Sequence, residues 1–486
     1  MIVNNTFDKA KDRISTLGFT DDQTAAYNSL IEFINAPYNE NDYKRALIGP
    51  AGSGKTYLVK ALIKNCNLSH SVIGLAAPTH KACRVLGESI NLVNIKVHTL
   101  QSDLGLRLNF DIDKFDINNP PFDPKGRVKI KDYKIYIVDE ASMINRSLCT
   151  FLEKICKTNQ CKIIYIGDAS QLAPVGEKYS SALKGIKSCI LKQIVRQEEN
   201  NPVKYLLDLL RYDIEHRSFN FLEYIYKNRE AFDNDNTKGY KVCNSEEFKT
   251  IVYNNFNDEA LTNNVDFAKV IAFTNIAVSG WNKFIRNSII KDADKSIITK
   301  NDLIISYTTL VNEFNDTVIK NSEEYIVHDL VNYTHPVHNL KGFMIKFQAI
   351  HGGKLTPPLF VLDHSDKFTI QNYITISQNL IEFAKNANVK LRAQAWRDYY
   401  SFKESCLLLT NIVNRSGKTL FSRDLDYGFS LTSHKSQGST FDTALVDVTD
   451  IVYDKYGKIY RDAEEINRRL YVACSRCKNK LYLKLL

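Results

Sequence analysis

The stretch IGPAGSGKTYL constrains this chain more than any other feature, because Gly49 to Thr56 fits the spacing G-x-x-x-x-G-K-[ST]. That spacing has a physical basis. Gly49, Gly52 and Gly54 let backbone N–H groups curl around phosphate oxygens. Lys55 supplies a point charge for the β and γ phosphates, the Thr56 hydroxyl suits Mg2+, and the start of a helix adds positive potential. Such a loop works between a buried strand and a helix. RALIG before it reads as that strand, and KTYLVKALIKN after it repeats apolar Leu58, Leu62 and Ile63 at helical spacing.

Further apolar, β-branched runs follow: VIGLAA, KIYIVDE, KIIYIGD, VIAFTN and TALVDV. They read as buried parallel strands alternating with helices, such as NPVKYLLDLLRY with Pro202 at its start. The pattern occurs before and after about residue 200, which predicts two α/β domains. In IYIVDEAS, four apolar residues deliver Asp139 and Glu140 to the carboxyl end of a strand, where open α/β sheets bind ligands. Asp139 suits the Mg2+ shell, and Glu140 suits deprotonation of a water. In IYIGDASQLAPVG another strand ends at Asp168, and Gln171 three residues on can hydrogen-bond both a γ-phosphate and the attacking water.

A chain of 486 residues has room for two to four domains. Its 64 Lys and Arg against 55 Asp and Glu leave a net charge of +9, which suits a polyanionic partner. The start, MIVNNTFDKAKDRI, lacks an apolar signal core, and no run approaches the ~18 apolar residues of a membrane span. The ten cysteines read as reduced thiols. Cys474 and Cys477 form the one C-x-x-C, which gives two of the four ligands a structural zinc needs. They follow RRLYVA, which reads as a helix already under way rather than as the start of a redox motif.

Two segments depart from the alternation. Residues 101–131, with adjacent prolines and three phenylalanines, read as an inserted hairpin or loop. From about 300 to 425, EYIVHDLVNY, GFMIKFQAI, PPLFVLD and KFTIQNYITI read as strands of a small β-barrel-like insertion, followed by a helical arm.

In this order the segments resemble superfamily 1B helicases with RecD-like motors. FTDDQTAAY resembles the adenine-reading motif, LAAPTHKACRVL and KVHTLQSDLG two strand-contact motifs, LKQIVRQ the motif at the domain junction, and SLTSHKSQGSTFDTALVDV and RRLYVACSRCKNKLYL the last two motifs. The resemblance implies two RecA-like P-loop motor domains with parallel sheets, with ATP and Mg2+ between them, plus a pin insertion and an SH3-like β insertion. The implied boundaries are 1–101 with 132–196 for the first motor domain, 102–131 for the pin, 197–300 with 425–486 for the second motor domain, and 301–424 for the SH3-like insertion and arm. It also implies roles. Gln23 would contact adenine. Lys55, Thr56, Asp139, Glu140 and Gln171 would come from one wall of the ATP cleft, Arg476, Gln437 and Gly438 from the other, and Arg196 from their junction. A planar, permanently charged guanidinium suits charge spread over γ-phosphoryl oxygens.

Strand contacts are expected from Thr79, His80, Lys81, His98, Thr99, Asn275, Thr432, Ser433 and His434, whose donors hold phosphates without reading bases. Trp396 is a candidate for base stacking, with a place in the core as the equal alternative. Phe110, Phe115 and Phe122 lie in the pin segment, either as packing or as the wedge at the fork. The implied activity is that of a monomeric ATP-dependent DNA helicase or translocase running 5′ to 3′ on single-stranded or forked DNA. The implied setting is a phage protein of the host cytoplasm, in replication or recombination, where a single-stranded-DNA-binding protein or a replisome offers contacts. Two other classes stay open: a small-molecule P-loop kinase or GTPase, and an ATP-gated loader that grips nucleic acid without moving.

Overall fold

The computed structural model describes residues 18–106, 117, 126–174, 176–194, 201–257, 264–312 and 316–485. In chain order, the elements that matter begin with α1 (Asp21–Asn35), β1 (Lys44–Ile48), α2 (Lys55–Asn65), β2 (Ile73–Ala77), α3 (His80–Ile90), β3 (Val97–Thr99) and α4 (Leu100–Leu104). Then come β4 (Ile135–Val138), α5 (Arg146–Thr158), β5 (Lys162–Gly167), β6 (Ser188–Ile190), α6 (Pro202–His216), β7 (Glu230–Phe232) and β8 (Gly239–Cys243). The middle of the chain supplies β9 (Ala268–Ala272), α7 (Asn275–Ile289), β10 (Leu303–Ser306), β11 (Glu324–Thr334), β12 (Lys341–Ala349) and β13 (Leu359–Leu362). It continues with α8 (Lys367–Asn386), α9 (Val389–Ser405), β14 (Leu425–Tyr427) and β15 (Ser430–Thr432). The last elements are β16 (Phe441–Asp447), α10 (Ala463–Cys474) and β17 (Cys477–Lys484).

These elements fall into two compact units, 1–243 with 436–486, and 244–435. The first unit holds a parallel sheet in the order β3-β2-β4-β5-β1-β6. Its strands read as continuous apolar runs because both faces are covered. Alternate residues serve opposite sides. Leu47, Leu75, Ile137 and Ile164 pack with Leu30, Leu58 and Leu62 from α1 and α2. Ala46, Tyr136, Val138 and Ile163 pack with Leu148 and Leu152 from α5. Burying one such leucine is worth ~1.5–3 kcal/mol, and the result is a rigid sheet whose carboxyl edge carries the loops. The same unit contains β16, β17 and β8 paired in parallel, with β7 antiparallel at the end.

The second unit contains β15 and β9, paired in parallel, and a five-stranded antiparallel sheet in the order β13-β12-β11-β10-β14. Ile304, Val327, Phe343, Ile345, Phe347, Val361 and Leu425 form its core. EYIVHDLVNY, GFMIKFQAI and PPLFVLD are strands here, as their alternation predicts. KFTIQNYITI is not: it opens the 20-residue helix α8. Asp366 caps that helix by accepting from the Phe368 N–H at 3.1 Å. The buried Thr369, Tyr373 and Ser377 recur every four residues, while Phe368 is exposed. Among the described residues no helix is long and apolar enough to cross a membrane.

Candidate active site

The P-loop sits between β1 and α2, as its spacing requires. Gly54 has φ +81°, a conformation glycine adopts without strain, and a Cβ there would lie 2.4 Å from Gln23 Nε2. Gln23 packs under the loop. Its Nε2 donates to the Ser53 carbonyl at 2.9 Å, and its Oε1 accepts from the Thr20 N–H at 3.0 Å as part of a capping box at the start of α1. One polar end of this side chain thus braces the glycine loop, and the other closes the cap of its own helix. The Lys55 ammonium donates to the Gly49 and Pro50 carbonyls at 2.7 and 2.9 Å, so the loop itself holds the lysine at its own mouth. Thr56 is the next residue of the same helical turn.

Asp139 and Glu140 follow β4 at the same edge. Glu140 has φ +50°, a left-handed backbone that costs a non-glycine residue on the order of 1–3 kcal/mol. Asp139 holds it there by accepting the Glu140 N–H at 2.9 Å. Burial raises the pKa of both carboxyls. Glu140 is pushed up to about 7, by burial first and by the neighbouring Asp139 charge second, while Arg476 and Lys55 act against the shift. A glutamate balanced near neutrality is suited to take a proton from water. The side-chain hydroxyl of Thr56 and the carboxylate of Asp139 are hard oxygen donors of the kind Mg2+ takes. Among the described residues no group of three or more His, Cys, Asp or Glu could hold a metal ion.

Elements from the end of the chain face these carboxylates within the same unit. Gly438 has φ +73°, and a Cβ on it would lie 3.9 Å from Glu140 Oε1. Gln437 Nε2 donates to Gln171 Oε1 and to the Leu172 carbonyl, both at 3.4 Å. Arg476 is buried at the junction of α10 and β17. Its guanidinium donates to the Val472 and Ser439 carbonyls, each at 3.0 Å, and to Ser475 Oγ at 2.8 Å. Burial lowers its pKa, and the charges of Glu140 and Asp168 counter that effect. Cys474 ends α10 and Cys477 begins β17, both buried. Burial raises the Cys474 thiol and pushes the Cys477 thiol up to about 12, which leaves both protonated and unreactive at neutral pH.

The expected strand contacts lie at carboxyl ends of strands. In the first unit, Thr79 and Thr99 cap helices, accepting from the Ala82 N–H at 3.2 Å and the Ser102 N–H at 3.3 Å. His80 begins α3, and Lys81 lies 5.3 Å from the Phe441 ring centroid. His98 Nδ1 stands 3.0 Å from Oδ1 of the fully buried Asp103, which also accepts from Tyr136 Oη at 3.1 Å. In the second unit, Asn275 Oδ1 accepts from Arg423 at 3.2 Å, Thr432 Oγ1 accepts from the Lys435 N–H at 3.2 Å, and Ser433 is buried against the Ala272 carbonyl. His434 stacks loosely with Phe273 at 6.5 Å. Trp396 on α9 is half-buried against Ala384, Ala387 and Ala395, with Tyr399 and Tyr400 at 5.9 and 6.1 Å. Arg196, Phe110, Phe115 and Phe122 lie outside the described residues.

Three further side chains, one beside His98 and two within RRLYVACSRCKNKLYL, have no signature of their own. Asp103 sits in an ordinary helical turn. Arg468 and Tyr471 read as one polar and one apolar position of an amphipathic helix. Only the fold shows that both meet the loop after β5.

These features define a P-loop ATPase. A family model described as an AAA domain matches residues 23–224. An uncharacterized protein of Acanthamoeba polyphaga mimivirus is 24% identical over 516 residues, covering 95% of this chain and 99% of that protein. The ATP-dependent DNA helicase Dda of phage T4 is 26% identical over 286 residues, 57% of this chain and 60% of its own length. The ATP-dependent RecD2 DNA helicase of Deinococcus radiodurans is 30% identical over 159 residues, 32% of this chain and 20% of its own length. The chain therefore resembles the superfamily 1B DNA helicases, Dda and RecD2 among them.

Proposed function

We propose that this chain is an ATP-hydrolysing DNA helicase or translocase that moves 5′ to 3′ along single-stranded DNA and separates duplex ahead of it. The observation that carries the reading is the placement of Glu140 beside Asp139 at the carboxyl end of β4, held on a left-handed backbone and facing Gly438. A carboxyl set there beside the P-loop is suited to take a proton from water, which hydrolysis needs and simple nucleotide binding does not. In this reading Lys55 and the P-loop amides bind the phosphates. Thr56 and Asp139 would hold Mg2+, which when bound would supply neutralising charge to the phosphates. Glu140 orients the water and takes its proton. Gln171 reports the γ-phosphate, and Arg476, with Arg196, stabilises charge on the transferring group.

The resemblance to superfamily 1B supports reading the first sheet and the β16–β17 group as parts of two motor domains, with the boundaries given above. It supports Gln23 and Gln437 as nucleotide contacts. It also supports Thr79, His80, Lys81, His98, Thr99, Asn275, Thr432, Ser433 and His434 as contacts to the DNA backbone, and a role in the replication or recombination of a virus or phage. The net charge of +9 is compatible with a nucleic-acid partner. Strand displacement on a 5′-tailed and a 3′-tailed duplex tests the proposal. Displacement of the 5′-tailed substrate alone, dependent on ATP, is expected. Preference for the 3′ tail would overturn the polarity. ATP-dependent binding without displacement of either would replace the motor with a loader.

A further inference from the structure

The loop after β5, residues 168–172, is held from the other side of the cleft by two residues on one face of α10. Arg468 and Tyr471 are three positions apart, so both side chains project from the same side of the helix. Tyr471 is buried, and its hydroxyl donates to Asp168 Oδ2 at 2.8 Å. Asp168, also buried, uses its other oxygen to accept the Ser170 N–H at 2.9 Å, which shapes the turn. Arg468 donates to the Ala169 carbonyl and to the Gln171 carbonyl, the latter at 2.9 Å. Glu464 fixes the back of that guanidinium, accepting from Nη2 at 3.0 Å and from Nε at 3.3 Å.

The arrangement does two things. Arg468 grips backbone oxygens, so it fixes the path of the loop whatever its side chains do. Tyr471 joins two parts at one oxygen: the loop at Asp168 and α10 itself. A tilt of α10 would move Asp168 and Gln171 together.

We propose that Arg468 and Tyr471 are positioning residues that hold the 168–172 loop, and Gln171 with it, in place, so that hydrolysis proceeds only while α10 is seated. The proposal rests on the reading of the cleft as an ATPase. Neither residue is placed in contact with nucleotide. Removing either therefore lowers the fraction of bound ATP that sits in the reactive geometry, and leaves phosphate binding by Lys55 in place.

The test is steady-state ATP turnover by the full chain and by Tyr471→Phe, Arg468→Ala and Arg468→Lys, with thermal melting of each. Misplacing a reacting group by about 1 Å costs on the order of 10²-fold, so Tyr471→Phe and Arg468→Ala are expected to lose about ten- to a hundredfold in kcat. KM for ATP should stay within about threefold, since ground-state binding is untouched. Arg468→Lys should recover part of the loss, because a single nitrogen, Nη1, serves both loop carbonyls and an ammonium can stand there, while the added hold of Nε and Nη2 on Glu464 is lost. Unchanged kcat in Tyr471→Phe and Arg468→Ala, or a loss that tracks only the fraction unfolded, would overturn the proposal. The kcat against KM split is read without DNA. Wild-type turnover indifferent to single-stranded DNA would therefore defeat the DNA-motor reading and leave this test standing. Normal kcat in the variants of a DNA-stimulated enzyme would defeat this proposal alone.

Discussion

Charged groups are handled differently at two places in the two units. In the second unit two buried ion pairs are closed. Lys269 and Glu324 meet at 2.6 Å with almost no exposure, and the same ammonium donates to the Gly428 carbonyl at 2.7 Å. Arg286 clasps Asp302 through two nitrogens at 2.7 and 2.9 Å, and donates to the Ala293 carbonyl at 2.6 Å. In the first unit two carboxyls, Asp139 and Glu140, stand side by side with raised pKa values, and one of them sits on a left-handed backbone. A fold that only needed stability would pair these charges as the second unit does. On the proposed reading, the adjacent acids and the strained glutamate belong to the cleft in which a further charged group would complete the arrangement.

The comparison breaks or sharpens through the following changes. Arg476→Ala should have the largest effect, about 10³-fold or more on ATP turnover, the scale of a lost arginine at a phosphoryl group. Nucleotide binding, read by a fluorescent analogue, should weaken far less. Glu140→Gln should follow at about 10²–10³-fold, with nucleotide still bound.

In the wild type, kcat/KM should rise with pH through about 7, because the raised Glu140 must lose its proton to act as a base and does so only as pH climbs past its pKa. Glu140→Gln should flatten that limb. A rise centred below about pH 5, where an ordinary glutamate titrates, would place the base elsewhere.

Lys269→Met inverts the comparison. Leaving Glu324 buried without its partner should cost ~3–5 kcal/mol of stability, seen as a lower Tm, while turnover per folded molecule stays near wild type. The smallest effect belongs to Cys474→Ser with Cys477→Ser. Turnover should stay mostly intact and need no added zinc, since both thiols are buried beside Arg476 rather than exposed as ligands. Loss of activity in this double variant alone would reverse the assignment of the arginine as the working group.

The parts of the cleft that were legible in the sequence are those with a local signature. A glycine loop between strand and helix, and acids at the end of an apolar run, are fixed by chemistry over fewer than a dozen residues. Arg468 and Tyr471 were not legible, because their partners lie about 300 positions earlier in the chain. No periodicity within α10 reports a loop that distant. The same limit explains α8. Alternating Phe368, Ile370, Ile374 and Ile376 imitate a strand, and the decision falls to the Asp366 cap and to a 20-residue length that permits burial on a four-residue repeat. The capping use of Thr79 and Thr99 was equally hidden: a hydroxyl before a helix reads as a phosphate donor or as a cap, and the backbone geometry shows the cap.

The most direct measurement is ATP turnover by the wild type and by Lys55→Ala, with and without single-stranded DNA, alongside DNA binding by both. Stimulation of the wild type by DNA is expected, with collapse in Lys55→Ala by about 10²–10³-fold while its DNA binding survives. Persistent turnover in Lys55→Ala would contradict the assignment of the P-loop as the site of hydrolysis.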